Sequence, residues 1–273
     1  MNDTGYVALT DTTREELGER IALAQNRFDR LIRTADPLAR PPGSRWTVQQ
    51  VAAHVLTIAN RYHEVARGGM YHPADTPTGV AALNQAELEA ALGPVPELAD
   101  QLRALASDID GYFDTLAGDC PTIPFHGGGF IGGTTAQTNW LGELLLHGED
   151  VARAVKTPWD LDERDMLLIA RGLMQIAPIF LRSETPASTN VCVALEVSGA
   201  RPYLMHIKGG AAEARERRHA DRPDAVLRTP ASTLTQLLYQ RIGPFTATRR
   251  GLRIVGGRRP WLALKLQSYF VPA

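Results

Sequence analysis

The chain has 273 residues, 44% hydrophobic and 22% charged, enough apolar mass for one large or two ordinary cores. Its formal charge of -1 conceals an acidic front and a basic back: residues 1–183 carry 15 Lys+Arg against 24 Asp+Glu, residues 184–273 carry 14 against 6. Two cysteines, Cys120 and Cys192, exclude a disulfide framework or a thiolate metal cage. The longest apolar stretch, residues 167–181, carries Arg171 and Gln175 and falls short of the roughly 20 residues of a membrane span. The first residues lack the basic-then-apolar order of a secretion signal, so a cytoplasmic chain is expected.

The first 183 residues read as helices. Thr12-Thr13-Arg14-Glu15 has a capping-box pattern, and Leu17, Ile21, Ala24, Phe28, Leu31 and Ile32 then recur at helical spacing up to Asp36-Pro37. Thr47-Val48-Gln49-Gln50 is a second capping box. It opens a helix with Val48, Val51, Val55, Ile58, Tyr62 and Val65 on one face, stopped by Gly68-Gly69. Third and fourth helices are expected over residues 97–116 and 135–156, the latter ended by Thr157-Pro158. Four helices of roughly 20 residues describe a four-helix bundle. A fifth, residues 162–181, bridges to the second part.

From Ser188 the texture changes. Residues 191–197 and 203–208 are short and β-branched, and Gly199-Ala200-Arg201-Pro202 between them makes a hairpin. Residues 225–228 and 251–255 read as further strands. Thr229-Pro230 opens a helix running to Arg241, and residues 260–270 form a closing helix. The expected domains are therefore a helical bundle over 1–183 and a small α+β domain over 184–273, with the linker composition of residues 183–189 between them.

Among seven histidines, His54 and His147 lie on the apolar faces of the second and fourth helices. Glu143 stands one turn before His147, and residues four apart on a helix project from the same face. Two imidazoles and one carboxylate with an open fourth position form the ligand set of a catalytic zinc site, and imidazole also suits iron, nickel and copper. Asp150 could accept the second ring N–H of His147. A core histidine satisfied by a carboxylate explains Glu143 and His147 equally well.

The segment Ser44-Arg45-Trp46-Thr47 through His54-Val55 resembles the second-helix signature of the mycothiol-dependent maleylpyruvate isomerase family, within the DinB-like metal-binding bundles. Glu143-Leu-Leu-Leu-His147-Gly-Glu-Asp150-Val-Ala resembles its fourth-helix signature. The segments Asp224 to Pro230, Leu237 to Arg241 and Gly251 to Gly257 resemble the sterol-carrier-like domain often fused to that bundle. The resemblance implies metal ligands His54, Glu143 and His147, zinc as the usual ion, and mycothiol as the thiol cofactor. In the isomerases a metal-bound thiolate adds to a conjugated cis double bond, the bond rotates, and the thiol leaves. In transferase relatives the thiol stays attached.

A dianionic substrate calls for arginines, which meet carboxylates with two parallel hydrogen bonds. None stands just before Glu143. Arg241, at the end of the matched tail helix, is the first candidate, and a helix C-terminal cation is its alternative role. Residues 125–133, rich in glycine, read as a mobile substrate loop or a plain connector, with His126 as a candidate substrate contact. The run Arg215-Glu-Arg-Arg-His219 is short and carries glutamate, so it reads as a solvated strand or turn; no nucleic-acid or membrane partner is expected. The expected partners are a small-molecule substrate and a low-molecular-weight thiol. Hydrolysis by metal-bound water, and a carrier whose apolar C-terminal cavity holds a lipid-like ligand, are the competing functions.

Overall fold

Thr13 opens α1 (Arg14–Thr34) in the computed structural model: its extended backbone lets the hydroxyl accept the Glu16 N–H at 3.1 Å. The Thr12 hydroxyl donates to the Glu16 carboxylate at 2.8 Å, so the cap sits one residue later than a Thr12–Glu15 box. The structure describes residues 11–116 and 120–271; residues 1–10, where a leader was sought, lie outside them. At α2 (Val48–Ala66) both capping-box bonds are made, with Gln50 N–H on Thr47 Oγ1 at 3.3 Å and Thr47 N–H on Gln50 Oε1 at 2.9 Å.

Next come α3 (Val80–Ala91), α4 (Val95–Thr115), a two-residue hairpin of β1 (Ile123–Pro124) and β2 (Phe130–Ile131), α5 (Gly133–Ala154) and α6 (Glu163–Ile176). Helices α1, α2, α4 and α5 enclose one apolar core that includes Phe28, Leu56, Ile109 and Trp140. Each such side chain contributes roughly 1.5–3 kcal/mol by leaving water. The periodicity missed α3. That helix is alanine-rich, and Leu88 is its one buried side chain, so it lacks a stripe to read. Helix α6 stops at Ile176 rather than running to 181, because Pro178 has no N–H to continue it and a 3₁₀ turn follows.

The C-terminal part is a five-stranded sheet of β3 (Asn190–Val197), β4 (Tyr203–Lys208), β5 (Ala211–Glu216), β6 (Ala225–Thr229) and, after α7 (Ala231–Leu238) and α8 (Pro244–Arg249), β7 (Arg253–Gly256). The order is β5-β4-β3-β6-β7, with β3 and β4 antiparallel as the hairpin reading requires and β6 parallel to β3. Residues 260–269 form a 3₁₀ stretch in place of the expected closing helix. In the basic run, Arg215 lies on β5 and is neutralised by Asp221 through bonds of 2.8 and 2.7 Å. Below the sheet, Leu195, Met205, Leu227, Leu234 and Phe270 line an apolar cavity of about 530 Å³.

The two parts share a core: Val197, Ala231 and Leu234 join the apolar cluster of the bundle. Thr235 Oγ1 donates to the Met166 carbonyl at 2.6 Å and pins α7 to α6. Among the described residues no helix is long and apolar enough to cross a membrane.

Candidate metal centre

His54 on α2 faces Glu143 and His147 on α5, and one ligand atom from each lies within 4.8 Å of the others. Glu143 Oε2 sits 3.5 Å from His54 Nε2 and 3.3 Å from His147 Nε2. These separations are long for ion-pair hydrogen bonds, which run about 2.7–2.9 Å. They are near the roughly 3.3–3.4 Å that separates two ligands of one tetrahedral ion, while the three ligand atoms as a set lie within 4.8 Å. The imidazoles meet edge to face at 4.9 Å, and Trp46, just ahead of α2, packs on His54 at 4.8 Å. His54 Nδ1 is buried without a hydrogen-bond partner, so the ring has polar contact only on the side where the three donors converge.

The electrostatics of the triad are dominated by burial and mutual charge. Burial lowers the His54 pKa, and the neighbouring His147 adds to the effect. Burial also acts to lower His147, but Asp150 and Glu143 outweigh it and lift that imidazole to about 9. Burial alone would push Glu143 up; pairing with His147 and His54 instead holds its carboxyl well below the usual range. A carboxylate this deep in an apolar bundle is sustained only by cationic partners, whether imidazolium or a metal ion.

His147 Nδ1 lies 3.1 Å from Asp150 Oδ2, the partner that the spacing along α5 suggested. Asp150 is in turn gripped by Arg241, whose Nη1 and Nη2 donate to Oδ1 and Oδ2 at 2.7 and 2.8 Å. Arg241 was expected to meet substrate carboxylates; the structure places it on Asp150, where a half-buried aspartate offers it both oxygens. Its contact with the triad runs through Asp150, which touches His147.

Beside Glu143 lies a cavity of about 100 Å³ whose walls combine α2, α5, α6, the 125–133 loop and Tyr239 from the end of α7. His126 lines it, at the head of a turn in which Gly127 and Gly128 adopt positive φ of 67° and 71°, a conformation natural to glycine. Arg61 also lines it and was missed in the sequence. Its Nη2 donates to Glu87 and Asn84, both on α3, at 2.6 Å each. The available signal was its position seven residues beyond His54, two helical turns along the same face of α2.

Comparison with known proteins adds a family. Residues 21–152 match the model of the mycothiol maleylpyruvate isomerase N-terminal domain. The fold resembles the crystal structure of a mycothiol-dependent maleylpyruvate isomerase with a TM-score of 0.50 at 15% identity, over 85% of this chain and 90% of that one. A histidine-to-alanine variant of such an isomerase gives the same TM-score and coverage at 13% identity. No curated protein matches the sequence at a significant level. Helical bundle and matched segment agree: over residues 21–152 the chain is similar to the mycothiol maleylpyruvate isomerase N-terminal domain family.

Proposed function

We propose that the chain is a metal-dependent enzyme that uses a low-molecular-weight thiol of the mycothiol kind to attack a small electrophilic substrate, as an isomerase of the maleylpyruvate type or as a thiol S-transferase. The observation that carries this reading is the convergence of His54, Glu143 and His147 within 4.8 Å, with Glu143 at the wall of a cavity. His54, Glu143 and His147 would hold a divalent cation, and two imidazoles with one carboxylate suit zinc. When bound, such an ion lowers the pKa of a thiol so that it is a thiolate near neutral pH.

The chain's own residues prepare that chemistry. One carboxylate against a divalent ion leaves the centre positive, which favours an anionic sulfur. Asp150 fixes the ring orientation of His147, and Arg241 fixes Asp150. Tyr62 and Tyr239 line the cavity with phenol pKa values raised by burial and by Glu143, so they remain neutral. Ile58, Phe125 and Phe180 supply apolar wall and restrict water.

Thermal-shift titration with mycothiol, with and without zinc, tests the proposal. A rise in Tm that requires the metal is expected. A metal-independent response, or none, overturns the thiol reading in favour of hydrolysis by metal-bound water. The apolar cavity of about 530 Å³ supports a second reading, a carrier of a lipid-like ligand, which displacement of a fluorescent fatty acid would reveal.

A further inference from the structure

Large apolar side chains face water around the cavity below the C-terminal sheet. Ile254 on β7 and Leu264 in the 3₁₀ stretch both line that cavity, yet they are 41% and 75% exposed, which places them at its mouth. A 3₁₀ helix brings residues three apart onto one edge. Trp261, 58% exposed, therefore shares an edge with Leu264 and with Gln267, another lining residue. Pro244 and Thr248 of α8 also line the cavity, and Phe245, next to Pro244, is 76% exposed. A single exposed leucine is ordinary surface; several large apolar side chains at one cavity mouth mark a contact face.

The charge around this mouth has one sign. Residues 225–273 hold eight Lys+Arg and no Asp or Glu. Arg258 and Arg259 are taken up by Asp224, Arg228 by Glu196 and Arg241 by Asp150. Arg249, Arg250, Arg253 and Lys265 are exposed and meet no carboxylate among the described residues. Arg253 donates to the carbonyls of Thr248 and Leu252, and Arg250 to the side-chain oxygen of Gln236. These acceptors are neutral and leave the charges uncompensated.

Three occupants could cover such a face, and charge separates them. A second copy of the chain would bring like charges against each other in a two-fold interface. A nucleic acid would take the cations but leave Ile254 and Leu264 in water. An anionic bilayer meets both demands: headgroups take the cations, aromatic rings rest at headgroup depth and aliphatic tips reach the acyl layer.

We propose that the mouth of the C-terminal cavity is a docking face for the surface of an anionic lipid bilayer. Trp261, Leu264, Phe245 and Ile254 supply its apolar part, and Arg249, Arg250, Arg253 and Lys265 its charge. It goes beyond the reaction proposed for the bundle and needs neither zinc nor a thiol. The expectation of no membrane partner concerns a spanning helix; surface docking needs only a shallow apolar patch among cations.

The test sediments the full chain with vesicles of phosphatidylcholine alone and with about 30% phosphatidylglycerol added. Binding to the anionic vesicles is expected, at least about tenfold weaker on the neutral ones and weaker again in high salt. Each cation near an anionic surface is worth about fivefold, so Arg253→Gln with Lys265→Gln should cost about 25-fold. Trp261→Ser with Leu264→Ser removes exposed side chains, so Tm should hold while binding falls at least about tenfold. The wild-type chain gives a reading without loss of contacts. Its tryptophan emission should shift to the blue on anionic vesicles, and Trp261→Phe should abolish the shift while the protein still pellets. A shift that persists in Trp261→Phe puts another face on the bilayer and overturns the proposal. So do equal binding to both vesicles, no binding, or undiminished binding in both double variants. A dimer in light scattering that Trp261→Ser with Leu264→Ser dissolves, without vesicle binding, gives the face to a second copy instead. An oligonucleotide that binds where vesicles do not gives it to nucleic acid.

Discussion

Arg241 and Asp150 meet as a two-bond pair, Nη1 to Oδ1 at 2.7 Å and Nη2 to Oδ2 at 2.8 Å, across the junction between the basic C-terminal part and helix α5. Because Asp150 also holds His147 at 3.1 Å, a residue of the C-terminal part reaches the candidate metal ligands through one intermediary. Arg241→Ala is therefore expected to weaken zinc binding by less than the about 10–100-fold that removing Asp150, the direct partner of His147, would cost. Arg241→Lys, which cannot make the forked pair, should fall between. Competition with a chromophoric chelator measures both. Wild-type affinity in Arg241→Ala would show that the pair joins the two parts without tuning the site.

The triad itself gives the sharpest loss. His54→Ala and His147→Ala each remove one of three protein ligands, and Glu143→Gln removes the only anionic one. Metal analysis of the purified variants is expected to find a small fraction of the wild-type content in each. Unchanged content in both histidine variants would sink the ligand assignment.

Removal of the ion should also lower stability, since a ligand bound only by the folded chain stabilises it by mass action, about 2.7 kcal/mol at a hundred times Kd. For a chain of this size that corresponds to a Tm lower by about 5 °C after chelation. His54→Ala should be insensitive to the chelator, which distinguishes loss of this ion from an effect of the chelator elsewhere.

Asp110, in the penultimate turn of α4, gives a pH-dependent term far from the site. Burial, with Asp114 one turn on, raises its pKa from 3.8 to about 6. A raised carboxylate pKa means that the folded chain prefers the protonated form. Its contribution is thus fully present below pH 3.8 and is lost as pH rises through about 6. Asp110→Asn should leave Tm unchanged near pH 3.5 and raise stability at pH 7.5 by about 1 kcal/mol, allowing for solvent screening at this half-exposed position. Thermal unfolding at the two pH values measures the difference; equal effects at both would disprove the linkage.

Much of the architecture was legible along the chain because local rules and tertiary demands coincide there. The Thr47 capping box, the apolar stripe of α2 and the alternating hairpin residues each specify an element by short-range chemistry that the fold then keeps. The elements that escaped are those without such a signal. Helix α3 buries one leucine, α8 is six residues long, and the 3₁₀ stretch over 260–269 has no fully buried side chain.

The site divides in the same way. The sequence by itself determined that His54, Glu143 and His147 stand at corresponding depths of two apolar helix faces, and that Asp150 follows one turn later, because helical periodicity fixes which side chains share a face. Only the tertiary structure decided what surrounds them. Arg241 goes to Asp150 because the folding of α7 onto α6 brings it there, ninety-one residues away in sequence. Arg61 turns towards His126 because α3, the helix with no pattern to read, supplies Glu87 and Asn84 to hold it. Contacts between distant segments depend on how whole elements pack, and no spacing along the chain encodes them.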